Sequence, residues 1–508
     1  MKIRTALSIG GLAVLIAAPV LSAQQERFRK TPPPPEPLQQ ELGLPALSAP
    51  TVLSNGLRVS VAYRESAPFM GLELLVNAGE NVSPDAEPGL ATFVASLLSR
   101  GTQTRSATEI EEIVESLGGT LFVTVNQDYV RISFHVLQEN LDPALDLLAQ
   151  MLLQPQFSER EIANVRRIIT YDLQEKESNP EFVAKRQLYR LLFKGHPYEK
   201  FAVSRDLLRN WTPRDIQDFF DRYYRPNNAH LIITGNLSLS QATRKISHVL
   251  NTWPAREIPG SPQKPVRPPD KDRVCLVDLP QSSDACILFV GTAFPRPDPA
   301  DRFALTVLNQ VLGGSLSSRL LMNLRESKEF ANYAFSEVDV FRSAGLLFIR
   351  ARVLPDKVVP ALQEIQKEVR ALATTRPAVP TEIELAKTYL LGNFPLGLER
   401  FDQFTARMAD IIALGGGEEL WNGYYGQVML VDADRVLDAA QRYLLPLPFV
   451  AVIAGDRASL TGRLAALEAY DIYDSKGQFL ATSTKDKKGA LHEAGGMRPE
   501  FQRRPGQK

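Results

Sequence analysis

The sequence predicts an α+β chain of two similar domains from an internal duplication, each an antiparallel sheet covered on one face by helices. Three observations carry this expectation. Residues 129–136 alternate as a half-buried strand does and lead into Leu141, Leu145, Leu148 and Leu152, spaced along one helix face. Residues 346–353 are again strand-like and lead into Val358, Leu362, Ile365 and Val369. The Pro-Ala-Leu triplets at Pro143 and Pro360 lie 217 positions apart, and Gly235 and Gly455, each closing an apolar run, lie 220 apart. Two convergent α+β segments of equal length are the alternative, and the paired offsets favour duplication.

Taken in order, the chain opens on a basic head, Met1-Lys2-Ile3-Arg4, an apolar run over 6–21, and a small residue, Ala23. This is the pattern of a cleavable secretory signal, residues 1–23, with an uncleaved anchor as the alternative. The run falls short of the ~20 apolar residues that span a bilayer. No cysteine follows it, which argues against a lipid anchor, and no later run is long and apolar enough to span. The mature chain is therefore expected in the periplasm, with no membrane contact after signal removal. Residues 24–46, with Thr31-Pro-Pro-Pro-Pro-Glu-Pro37, read as an extended linker or arm because proline lacks the ladder donor.

The first domain is expected over 47–253. Asn55-Gly56 marks a turn, and Ser106-Ala-Thr-Glu109 is a capping box opening a helix with Ile110, Ile113, Val114 and Leu117 on one side, stopped by Gly118-Gly119. Six prolines between 254 and 269 preclude a regular element and give a linker. The second domain follows over 270–472. A tail over 473–508, rich in Lys, Gly, Arg and Gln, is expected to be disordered.

Composition sets limits. At 508 residues the chain exceeds what one core organises. Lys+Arg and Asp+Glu both total 58, which leaves no electrostatic footprint for nucleic acid. Cys275 and Cys286 flank 276–285 as opposing hairpin positions would, so either a cross-strand disulfide or two buried thiols fits.

Several of these segments together resemble the pitrilysin, insulinase and mitochondrial processing peptidase family of inverted-motif zinc peptidases. They are Asn55-Gly-Leu-Arg-Val59, Gly89-Leu-Ala91, Arg100-Gly-Thr102, Leu117-Gly-Gly119, His196-Pro-Tyr198 and Tyr223-Tyr-Arg-Pro-Asn-Asn228. Leu312-Gly-Gly314, Ser318-Arg-Leu320 and Leu324-Arg-Glu326 continue the likeness, which covers roughly 47 to 470. It implies a clamshell in which similar halves enclose an unfolded peptide.

Active members carry H-x-x-E-H on a helix, so that imidazoles at i and i+4 grip one zinc ion and the Glu acts as general base, with a further Glu ligand about 75 residues on. Here those five positions read Thr92-Phe93-Val94-Ala95-Ser96. Asp172 stands where the third ligand is expected and Val165 where a supporting Glu would be. A Thr, a Ser and one carboxylate make a poor zinc site, since the metal favours nitrogen or thiolate partners. Asp172 is accordingly expected to be a solvated or ion-paired helix residue. His135, His196, His230, His248 and His492 include no two within four positions. Ser96 has no Gly-x-Ser-x-Gly elbow.

The resemblance implies that a zinc-free subunit completes the chamber of a catalytic partner and lends an Arg and a Tyr, about seven residues apart, as donors to the developing oxyanion. Arg325 and Tyr333 are eight apart; a gapless match puts Asn332 in the tyrosine's place and a one-residue shift restores Tyr333. The expectation is thus a non-catalytic subunit of an exported zinc peptidase, inactive alone. It would hold no cofactor, pair as a heterodimer or higher with a zinc-bearing H-x-x-E-H homologue, and enclose peptide substrates. A peptide-binding or scaffold protein with no peptidase role is the alternative.

Overall fold

Ala229–Gly235 and Val450–Gly455 are buried at every position, so each of these strands demands cover on both faces. The computed structural model describes residues 44–485 and 491–495, leaving aside 66–67, 86, 204, 261–263, 268, 281–285 and 446–447. The expected signal and nearly all of the proline-rich arm lie outside the described residues.

Among the described residues the strands of the first half are β1 (Thr51–Val52), β2 (Arg58–Tyr63), β3 (Phe69–Val76), β4 (Thr120–Val125), β5 (Val130–Leu137) and β6 (Ala229–Gly235). The second half has β7 (Arg273–Asp278), β8 (Cys286–Pro295), β9 (Ala331–Val340), β10 (Ala344–Val353), β11 (Val450–Gly455), β12 (Ala469–Tyr473), β13 (Phe479–Lys485) and β14 (Leu491–Gly495). The first sheet runs β1-β2-β6-β3-β5-β4 and the second β14-β13-β12-β7-β11-β8-β10-β9. The five-strand core β2-β6-β3-β5-β4 thus recurs as β7-β11-β8-β10-β9. The pairing senses recur too, parallel for β2–β6 and β7–β11 and antiparallel for the rest of each core. The duplicated α+β fold read from the sequence holds, with one parallel pair inside each mainly antiparallel core.

The longer helices are α1 (Leu90–Leu97), α2 (Ala107–Ser116), α3 (Leu141–Leu153), α4 (Glu159–Ser178), α5 (Pro180–Leu192), α6 (Pro213–Tyr223) and α7 (Leu239–Leu250) in the first half. In the second they are α8 (Pro299–Leu312), α9 (Val358–Ala373), α10 (Pro380–Leu396), α11 (Phe401–Ala413) and α12 (Ala433–Tyr443). The capping box opens α2 as expected, Ser106 N donating to Glu109 Oε2 at 2.7 Å. Gly118, at φ +59°, follows its end.

Each half covers one face of its sheet with its own helices, and the opposite face is closed by a helix from the other half. Val183, Leu188 and Leu192 of α5 pack with Phe289, Val450 and Val452 of the second sheet. Phe404, Met408 and Ala409 of α11 pack with Leu75 and Ile232 of the first. Single-face cover, the sequence reading, misses this exchange because nothing local marks which sheet a helix joins. Polar contacts lock the exchange. Asp410 Oδ1 accepts from Tyr129 Oη at 2.5 Å and Arg131 Nη1 at 2.8 Å, and Thr405 Oγ1 donates to the buried Glu73 at 2.8 Å.

His196-Pro-Tyr198 belongs to the same joint. Tyr198 Oη donates to Asp128 Oδ1 at 2.6 Å, and Arg342 N, in the β9–β10 turn, donates to Asp128 Oδ2 at 3.0 Å. Burial pushes the Asp128 carboxyl up and the His196 imidazole down, which favours neutral His196.

Two expectations are corrected. Residues from 473 onward do not form a disordered tail as far as they are described, because β13 and β14 extend the second sheet through β12. Strand addition satisfies backbone groups without many large apolar side chains, so composition hides it; Phe479 packs on Tyr473 at 5.7 Å between ring centres. Residues 486–490 and 496–508 of that expected tail lie outside the described residues. Cys275 and Cys286 do not face each other across a hairpin, since β11 lies between β7 and β8. Two strand spacings, about 9–10 Å, exceed the reach of a disulfide, and both residues are buried thiols.

Candidate functional site

The vacated motif lies on α1. This helix starts at Gly89, at φ +98°, a residue with no side chain to cap it. An added Cβ there would sit 2.7 Å from Val203 Cα, so the position admits only glycine. The cap comes from Glu80, in the short 3-10 turn Glu80–Val82 that precedes the helix. Its carboxylate accepts from Gly89 N at 3.0 Å, Thr92 N at 2.9 Å and Ser83 Oγ at 3.0 Å. Ser83 Oγ in turn accepts from Ala91 N at 3.0 Å. Burial raises the Glu80 carboxyl, partly opposed by the hydrogen bonds from Thr92.

This network consumes the hydroxyls that replaced the imidazoles. Thr92 Oγ1 donates to Glu80 Oε1, and Ser96 Oγ donates to Thr92 O one turn back, at 2.8 Å. Ala95 is 1% exposed and joins the first-half core, so the space of a general base is filled by packing. No histidine is hydrogen-bonded to Ser96 among the described residues, which leaves its hydroxyl without a base. Glu80 is the residue that sequence reasoning missed. Its signal is indirect: a helix opening on a bare glycine needs an acceptor from elsewhere.

Asp172, on α4, is half exposed and pairs with Lys176 Nζ at 2.8 Å, one turn on. Val165 is 2% exposed within the core. Hydroxyls, a methyl group and an ion-paired carboxylate do not suit zinc. Among the described residues no three His, Cys, Asp or Glu side chains gather where a metal ion would be held.

Arg325 lies in a π-helical turn, Met322–Ser327, half exposed, its Nε 3.4 Å from Glu326. Tyr333, on β9, is opposite Arg352, whereas the next partner of β10, Val353, faces Ala331. Asn332 is therefore the extra residue of a β-bulge. The bulge absorbs one residue ahead of Tyr333, which accounts physically for a spacing of eight. The Tyr333 hydroxyl donates to Glu181 on α5, and burial, then this carboxylate, raises its pKa. Arg325 and Tyr333 thus engage different carboxylates, Glu326 and Glu181.

The edge strand β4 alternates exposed and half-buried residues, and its side away from β5 has no strand neighbour among the described residues. It packs on α1, so a free sheet edge borders the vacated motif.

Comparison with known proteins fits this geometry. Residues 58–203 match the model of the insulinase family, peptidase family M16, and residues 210–390 match that of the peptidase M16 inactive domain. An uncharacterized zinc protease of Mycobacterium leprae is 26% identical over 420 residues, spanning 80% of this chain and 92% of its own. A non-peptidase homolog, YmxG, of Helicobacter pylori is 25% identical over 365 residues, 70% of this chain and 82% of its own. The crystal structure of a peptidase M16 inactive domain from Pseudomonas fluorescens superposes with a TM-score of 0.74 at 20% identity, covering 80% of this chain and 97% of that one.

Proposed function

The chain belongs to the M16 peptidase family, the pitrilysin and insulinase relatives, as a member without the zinc motif, and from that premise we propose that it is the non-catalytic subunit of an exported zinc peptidase. The observation that carries the reading is α1: Thr92, Ala95 and Ser96 are tied into a cap and a core while the fold around them is kept. In this reading an H-x-x-E-H sibling supplies the zinc, the two chains together enclose peptides, and the leader-like residues 1–23 direct the chain to the periplasm. The free edge of β4 supports peptide capture, because an added strand satisfies its backbone groups whatever its sequence. The H. pylori relative named a non-peptidase homolog supports the loss of hydrolysis.

The test is to purify the chain alone and with a zinc-motif sibling, then measure zinc content and peptide cleavage. The lone chain is expected to hold no zinc and cleave nothing, and the pair to exceed the sibling alone. Stoichiometric zinc with activity in the lone chain overturns the proposal. A second reading, a scaffold without a peptidase role, draws on the Tyr333 hydroxyl being taken by Glu181. Arg325→Ala separates them: a large fall in turnover of an intact pair favours the first reading, an unchanged rate the second.

A further inference from the structure

A cleft of about 480 Å³ opens where α5, the loop before α1 and the β12–β13 turn meet. Its lining holds six cationic side chains, Arg186, Arg190, Lys194, Lys200, Lys264 and Arg273, against two carboxylates, Asp85 and Glu199. The chain as a whole carries equal numbers of both signs, so this is a local concentration. Lys200 is paired with Asp85 at 3.3 Å, and Arg186 approaches Glu177, behind the cleft, at 3.7 Å.

Arg186 and Arg190 are crowded together, with Glu177 and Asp474 near both and Glu199 near Arg190. Arg186 and Arg190 stand one turn apart on α5, where like charges repel. Burial and then Arg190 hold the Arg186 guanidinium down to about 10, and burial lowers Arg190 as well. Their closest acceptors are uncharged carbonyls of the β12–β13 turn: Arg186 Nη2 donates to Ser475 O, and Arg190 Nη1 to Lys476 O at 2.8 Å. Gly477, at φ +80°, lets the turn come this close, since a Cβ there would lie 2.0 Å from Arg190 Nη1 and 2.9 Å from Gln187 Oε1. Gln187 lines the cleft at 3% exposure, and its Oε1 has no hydrogen-bond partner among the described residues. The cationic lining points to an anionic ligand, whereas the Gln187 Oε1 is an acceptor and calls for a donor beside it, a hydroxyl of the ligand or a water.

We infer that this cleft binds a compact polyanion, a small molecule bearing phosphate or carboxylate groups, which ties the β12–β13 turn of the second half to α5 of the first. The site borders the loop that caps α1, through Pro88 and through Lys200, whose Nζ donates to Ser83 O, and it does not depend on a catalytic partner. Its volume falls within the range of small-molecule pockets, roughly 300–1,000 Å³.

The full chain is titrated with pyrophosphate and, separately, with citrate by calorimetry and thermal unfolding, against sodium chloride of equal ionic strength. Saturable binding with a rise in Tm is expected for at least one, and which one responds distinguishes phosphate from carboxylate recognition. Lys194 and Lys264 are exposed, so Lys194→Ala/Lys264→Ala should fold normally and bind about tenfold more weakly. A remote control, Arg160→Ala/Lys367→Ala, should bind as the wild type does. Failure of both anions to bind above the chloride control overturns the inference, as does equal affinity in the cleft variant.

Discussion

Removing the Glu80 carboxylate tests what holds α1. In Glu80→Ala the N–H groups of Gly89 and Thr92 and the hydroxyls of Ser83 and Thr92 lose their acceptor. The hydroxyls can rotate to other partners, whereas the two helix N–H groups stay buried; each unsatisfied group costs about 1–3 kcal/mol. Relief of the carboxylate's own desolvation offsets part of this, so a net loss of about 2–4 kcal/mol is expected. Glu80→Gln keeps one acceptor oxygen and should lose about 1 kcal/mol. Urea unfolding followed by tryptophan fluorescence reports it well, because Trp211 packs on Phe93 of α1 at 5.1 Å between ring centres. The pH profile adds an independent check. Burial raises the Glu80 carboxyl above its ordinary 4.5, so the folded state binds this proton more tightly than the unfolded state. Folding is then penalised above the folded-state pKa, and the penalty is released as pH falls through it. The wild type's advantage over Glu80→Gln should therefore grow as pH is lowered from neutral towards 4.5. A Glu80→Ala protein within about 0.5 kcal/mol of wild type would refute the capping argument.

Four further outcomes follow from the same geometry. Ala95→Glu, buried in the core, should lose about 3 kcal/mol or more in urea unfolding, and Thr92→His/Ala95→Glu/Ser96→His should fail to hold stoichiometric zinc by elemental analysis. Asp172→Asn breaks only an exposed one-turn ion pair, so its unfolding free energy should stay within about 0.5 kcal/mol of wild type. Asp410→Ala strips the acceptor from Tyr129 and Arg131 at the joint between halves and should cost about 1–3 kcal/mol in thermal unfolding.

Local signals were legible in the sequence and long-range ones were not. Pro143 and Pro360 each stand third in their helix, α3 and α9, and Gly235 and Gly455 end β6 and β11, equivalent places in two halves of the same core strand order, because duplication preserves spacing even where side chains diverge. Ser106 and Glu109 cap a helix within three residues, so that box is read directly. The emptied motif at Thr92, Ala95 and Ser96 was equally plain. Glu80 was not, since it acts on backbone groups nine and twelve residues away. The hairpin assigned to Cys275 and Cys286 failed for a related reason: consecutive strands need not be neighbours, and β11 arrives from far along the chain. Nothing in α5 or α11 announces that each will cover the other half's sheet.

That exchange of helices bears on what a second chain would have to supply. With α5 on the second sheet and α11 on the first, each sheet's inner face is already covered by the other half, Phe289 and Val452 by α5 and Leu75 and Ile232 by α11. A chamber for peptide between these faces would have to displace that packing, at about 25 cal/mol for each Å² of apolar surface returned to water. Enclosure by a partner, in the proposed reading, avoids that cost by using surfaces outside the joint, where β4 offers its free edge beside α1. Tyr333 sits on the other side of this division. Its hydroxyl is engaged with Glu181, itself 3.3 Å from Arg350, so a role in trans requires that Arg350 keep the carboxylate once the tyrosine leaves it.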